Sequence, residues 1–134
     1  MKIKITNGFF ERSNENSPLV RLCRSTQLPV KTSYWLSRLT KEIAPLNQAY
    51  LEEKKKLIEK WCDKNEDGTP VSEKGMIKFT EHGKDFNLEL ISLINIEIEL
   101  GIDKIEIPLE CIPVGLLSSF DFEELDNFIV FKEN

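Results

Sequence analysis

Apolar residues recur at steps of three and four through the segment 30–61. Leu36, Leu39, Ile43, Leu46, Tyr50, Leu57 and Trp61 are separated by 3, 4, 3, 4, 7 and 4 residues. This is the 3.5-residue period of a heptad seam, broken once at Glu53, and it predicts one long amphipathic helix. The opposite face, with "EEKKK" at 52–56, carries both signs of charge at spacings such as Glu52 to Lys56 that allow ion pairs one turn apart, so it reads as solvated. Pro45 falls inside the pattern, where it removes a backbone donor and crowds the carbonyl four residues earlier; the helix is expected to kink or restart there. A straight helix of 32 residues would run about 48 Å, whereas a compact chain of 134 residues is about 36 Å across. Either Pro45 bends the helix back over the core, or the helix end projects and needs a partner.

Elsewhere the period changes. "KIKI" at 2–5 alternates charged and apolar residues, the mark of a strand with one buried face, and Asn7-Gly8 supplies a turn after it. Residues 11–17 are polar and loop-like, and Ser17 with Pro18 offers an N-cap and first helical position to the apolar "LVRLC". "MIKFT" at 76–80 predicts a short strand, with Thr80 capping a second helix. In that helix Phe86, Leu90, Leu93 and Ile94 mark one face able to pack on the long helix. Ile94, Ile96, Ile98 and Leu100 then alternate with polar residues, as Ile105 and Ile107 do around Glu106, which predicts two strands paired as a hairpin. Ser118 or Ser119 caps a short helix through Leu125, with Asp121 at the capping-box offset from Ser118, before the apolar "FIVF" at 128–131. The expected fold is a single α+β domain over 1–134: a long kinked helix and a second helix packed as an antiparallel pair, with a small, mainly antiparallel sheet from 2–5 and 96–107.

The composition suits such a fold, with 40% hydrophobic and 31% charged residues. The net charge of −5 disfavours a general phosphate-binding surface, so nucleic acid is an unlikely partner. Cys23, Cys62 and Cys111 stand far apart, with no CxxC pair, which points to reduced thiols in a cytoplasm and to neither a zinc knuckle nor a disulfide framework. No signal-peptide core opens the sequence, and no apolar run approaches the roughly 18–20 residues that span a bilayer.

Candidate chemistry is sparse. "DKNEDGTPVSEK" at 63–74 begins like a calcium-binding loop, with Asp63, Asn65, Asp67 and Gly68 in place, but Lys74 stands where the bidentate Glu belongs and Pro70 interrupts the loop. A tight turn at Asp67-Gly68 is the reading, with no metal. His82 is the single histidine, so neither a triad nor a multi-histidine site can form within one chain, and its context is that of a surface or capping residue. Cys23 and Cys111 read as small buried hydrophobes. Glu97, Glu99, Glu106 and Glu110 could pair for acid/base work, yet alternating Glu is the ordinary wet face of a half-buried sheet. No GxGxxG, Walker or GxSxG motif occurs. The expectation is a protein that is no enzyme and uses no cofactor. Two functional readings remain. One makes the seam residues Leu36, Leu39, Ile43, Leu46, Tyr50, Leu57 and Trp61 a protein interface. The other makes Tyr34 and Trp35, with Arg38 and Lys41 nearby, a stacking pocket for a small ligand.

One longer string is more specific: "LPVKTSYWLSRLTKEIAPLNQAYLEEKKKLIEKWCDKNEDGTPV", then "FNLELISLINIEIEL", "IEIPLE" and a closing acidic helix. In that order it resembles, over roughly 28–131, a group of small uncharacterised proteins encoded by tailed bacteriophages. The likeness is one of pattern more than identity and brings no catalytic or binding residue. It implies a phage origin and a loop role for Asp67-Gly68. The expected function is a non-enzymatic phage protein acting by protein contacts, as a virion or assembly component or a host-factor inhibitor. Its partner would be a second copy, most simply in a dimer, or another phage or host protein, and its place the host cytoplasm or the virion. The alternative is a protein that binds or sequesters a small ligand in evading host defence.

Overall fold

Residues 1–14 and 16–133 are described by a computed structural model of the chain; Glu15, in the expected 11–17 loop, lies outside the described residues. In order, the elements are β1 (Lys2–Thr6), α1 (Gly8–Arg12), α2 (Pro18–Arg24), α3 (Val30–Trp61), β2 (Ser72–Glu73), β3 (Met76–Ile77), α4 (Gly83–Ile94), β4 (Glu97–Asp103), β5 (Ile105–Pro108), a 3₁₀ turn at Leu109–Cys111, α5 (Ser119–Leu125) and β6 (Ile129–Lys132). The chain is α+β. At Asn7-Gly8 the expected turn gives way to the start of α1.

The heptad period sets the extent of α3, which runs as one element through Pro45. Pro45 lies on the exposed side, where the Lys41 carbonyl can turn to water in place of the missing donor. Thr32, Leu36, Leu39, Ile43 and Tyr50 are the buried positions of α3, and from there to Trp61 none is buried. The seam expected to face a partner is therefore largely covered by the chain itself. Leu36, Leu39 and Ile43 join Ile3, Ile5, Leu100, Ile102, Ile105, Ile107, Leu125, Phe128 and Ile129 in one core, and Tyr50 is buried against the α1 aromatic Phe10. The reason is topological: strands distant in sequence return to cover the first five turns.

The expected hairpin of 94–100 with 105–107 does not form. β4 instead pairs antiparallel with β1, and β5 pairs parallel with β6. The segment from β4 to β5 is nearly continuous, and its two halves serve opposite neighbours. The Lys104 amide donates to the Met1 carbonyl at 3.0 Å and the next amide, Ile105, to the Phe128 carbonyl at 2.9 Å. Successive amides of an extended chain point to opposite sides, so β1 and β6 flank this segment on opposite edges. A parallel pair needs a crossover, supplied here by the 3₁₀ turn and α5. The capping box at Ser118 and Asp121 starts α5 as its sequence indicates, and Arg21 of α2 meets Asp121 at 2.9 Å. Within the β1–β4 ladder the register slips between Lys2 and Lys4, opposite Gly101. The Gly101 amide donates to Glu42 Oε1 of α3 at 2.7 Å, and a Cβ there would crowd that oxygen at 3.3 Å.

Beyond Tyr50 the packing thins. α4 runs back beside α3 as an antiparallel neighbour: its start lies at Trp61, whose ring meets that of His82 at a tilt of 48°, while its end at Ile94 touches Gly8 beside the Phe10–Tyr50 contact. Among the described residues the buried members of the core pass from Ile43 directly to Leu100. Between the two helices, β2 and β3 form a minimal hairpin whose Lys74-Gly75 turn has positive φ at both residues, 53° and 78°. Thr80 does not cap α4. It donates its amide and hydroxyl to the Asp63 carboxylate instead, and His82 occupies the N-cap position.

Candidate functional site

The seven residues of the expected interface divide into two groups. Leu36, Leu39, Ile43 and Tyr50 are buried inside the chain, which corrects their reading as an external surface. Leu46, Leu57 and Trp61 are half-buried. Trp61 is engaged on three sides: its indole N–H donates to Glu89 of α4 at 2.8 Å, the His82 ring lies 5.2 Å away, and the Lys60 ammonium sits 4.8 Å from its ring centre. Hydrogen bonds from Trp61 and then Lys60 hold the Glu89 carboxyl below the usual carboxylate range.

Tyr50 closes the well-packed part of α3. Its hydroxyl donates to Glu11 of α1, and Lys54 one turn further meets the same carboxylate at 2.7 Å. The Lys54 contact first, then the Tyr50 hydrogen bond, lower the Glu11 pKa, while burial and the neighbouring carboxylate raise that of the Tyr50 phenol. This trio ties α1 to the middle of α3.

Past it, α4 shows an unusual pattern. Its twelve residues include no buried side chain. Phe86, Leu90, Leu93 and Ile94 are half-buried towards α3, whereas Leu88 is 58% exposed and Ile91 55%. Lys84, Leu88, Ile91 and Asn95 fall at i, i+4, i+7 and i+11 and so occupy one outer stripe, with Ile96 also exposed just beyond the helix. The sequence did signal this stripe, because Leu88 and Ile91 lie off the face that Phe86 and Leu90 define. The seam in α3, longer and more regular, drew the assignment away from it.

The expected stacking pocket is only partly assembled. Tyr34 and Trp35 meet edge to face with ring centres 5.4 Å apart, but Arg38 and Lys41 are exposed and do not line a cavity with them. Trp35 instead borders a cleft of about 410 Å³ between the start of α3 and the 101–106 segment, alongside Lys2, Lys31, Thr32 and Lys104. These partners were not legible in the sequence, since Lys2, the start of α3 and the 101–106 segment lie far apart along the chain.

The acidic residues of the calcium-like loop have partners of their own. Asp63 accepts from Thr80, and Asp67 from the Thr69 amide at 3.0 Å and the Thr69 hydroxyl at 2.6 Å. Hydrogen bonds from those threonines lower both carboxyl pKa values, and Gly68 turns the loop at φ 85°. Among the described residues no group of three or more His, Cys, Asp or Glu side chains is arranged to hold a metal ion, and no helix is long and apolar enough to cross a membrane. Glu97, Glu99, Glu106 and Glu110 are all exposed. Cys23, expected to be buried, is exposed as a residue, although partial burial of its thiol raises its pKa. Compared with protein-family models, curated proteins and solved structures, the chain matches none.

Proposed function

We propose that this is a non-enzymatic protein that works through protein contacts, made by the outer stripe of α4, with a second copy of the chain as the occupant. The observation that carries the reading is the apolar helix α4 without one buried residue, presenting Leu88 and Ile91 to solvent. Exposed apolar stripes on a packed helix mark contact surfaces, and two-fold dimers are the commonest closed arrangement.

The stripe is suited to itself. An antiparallel two-fold about its middle would set Leu88 against the partner's Ile91 and Lys84 beside the partner's Asn95 and near its acidic Glu97, with no like charges opposed. This moves the dimer expectation from the α3 seam, mostly used up in the core, to α4. A contact protein of this kind fits the pattern likeness to small tailed-phage proteins, as an assembly component or a host-factor inhibitor.

The test is sedimentation velocity of the wild type beside Leu88→Lys/Ile91→Lys. The wild type should sediment as a concentration-dependent dimer and the variant as a monomer with unchanged circular dichroism, since both positions are exposed. A monomeric wild type at the highest soluble concentration contradicts self-association.

A further inference from the structure

We propose a second binding site, independent of α4 and at the opposite end of α3: the cleft at the helix start takes a small phosphate-bearing aromatic molecule, a nucleoside monophosphate in chemical class. The cleft measures about 410 Å³, within the size range of small-molecule sites. Four observations converge on it.

The first is Thr32. Its residue is 6% exposed, it lines the cleft, and its hydroxyl has no hydrogen-bond partner among the described residues. Since no buried side-chain polar atom among the described residues lacks a partner, this hydroxyl is open to the cleft, and on an otherwise buried residue it is a donor available to a ligand atom. The second is the start of α3, which follows Pro29 with no side-chain cap, so its first-turn amides and the positive end of the helix dipole remain available to an anion.

The third is local charge. The chain carries −5 overall, yet the acids at this cleft are already neutralised, Asp103 by Lys2 at 3.6 Å and Glu106 by Lys132 at 3.6 Å. The Lys31 and Lys104 ammonium groups also border the cleft and have no ion-pair partner among the described residues, which leaves a surplus of positive charge. The fourth is Trp35, which lines the cleft, stays 39% exposed, and is braced by the Tyr34 ring at 5.4 Å. An indole held in this way offers a face to a planar ring. Phosphate would lie among Lys31, Lys104 and the Thr32 hydroxyl, with the ring on Trp35.

Trp61→Phe leaves Trp35 as the single tryptophan, and position 61 lies at the far end of the same helix. In that background, adenosine 5′-monophosphate should quench the emission saturably, with adenosine and inorganic phosphate each at least about tenfold weaker because each lacks half of the recognition. Thr32→Val should weaken the nucleotide about tenfold through loss of a hydrogen bond to a charged group. Lys31→Gln, at an exposed position that folding does not depend on, should weaken it several-fold and flatten its salt dependence. Absence of saturable quenching at millimolar nucleotide overturns the proposal. So does adenosine binding as well as the nucleotide, or nucleotide binding that neither substitution alters.

Discussion

The two halves of α3 share one apolar period and meet different fates. In the first, the 3.5-residue seam is buried at Thr32, Leu36, Leu39, Ile43 and Tyr50, because β1, β4, β5 and α5 supply side chains from both ends of the chain. In the second, Leu57 and Trp61 continue the same period but are only half-buried beside α4, itself without a buried residue. An apolar pattern marks where burial is favourable; how much is achieved depends on what the rest of the chain brings to it.

Side-chain truncation in each half should separate the two most strongly. Leu39 is fully buried, so Leu39→Ala should cost about 2–5 kcal/mol, whereas Leu57→Ala, at a half-exposed position, should cost about 1 kcal/mol or less. Urea denaturation checks both. Equal costs would mean that the distal half is as well packed as the proximal one.

Next in size is Pro45, where an uninterrupted helix tolerates a missing donor. Pro45→Ala restores the bond to the Lys41 carbonyl and should raise stability by about 1–3 kcal/mol in the same assay. A loss would show that the proline fixes a bend on which the core depends.

Smallest is the Tyr50–Glu11–Lys54 trio at the boundary. Tyr50→Phe keeps the stacked ring and removes the hydroxyl, with an expected cost of about 1 kcal/mol. The Glu11 carboxyl titrates below its ordinary value, so its contribution is present above the unfolded carboxylate pKa of about 4.3 and is lost as pH falls through the lower folded value. Thermal melts between about pH 5 and pH 3 should therefore fall more steeply for the wild type than for Glu11→Gln. Parallel slopes would place the acid sensitivity elsewhere.

Much of the fold was legible because it is local. The extent of α3 follows from its heptads, β1 from the alternation of "KIKI", and α5 from the Ser118–Asp121 capping box. Strand pairing was not legible. Ile105 and Ile107 alternate as a hairpin arm would, yet their partner is Ile129 and its neighbours, reached through a crossover that no turn motif announces. Capping by Thr80 failed for a related reason: a distant carboxylate, Asp63, claims its donors. Of the candidate sites, Trp35 was found from its local aromatic pair, whereas Lys2, Thr32 and Lys104 become neighbours of it only when the chain folds.

On the proposed function, α4 and the distal half of α3 are held loosely by the chain itself and completed by a second copy. Native-state hydrogen exchange at low and at high protein concentration tests it most directly. Amides around Leu36, Leu39 and Ile43 should exchange slowly and independently of concentration, and those around Leu88 and Ile91 should exchange faster when dilute and slow markedly when concentrated. Protection in α4 that matches the core and does not change with concentration would contradict it.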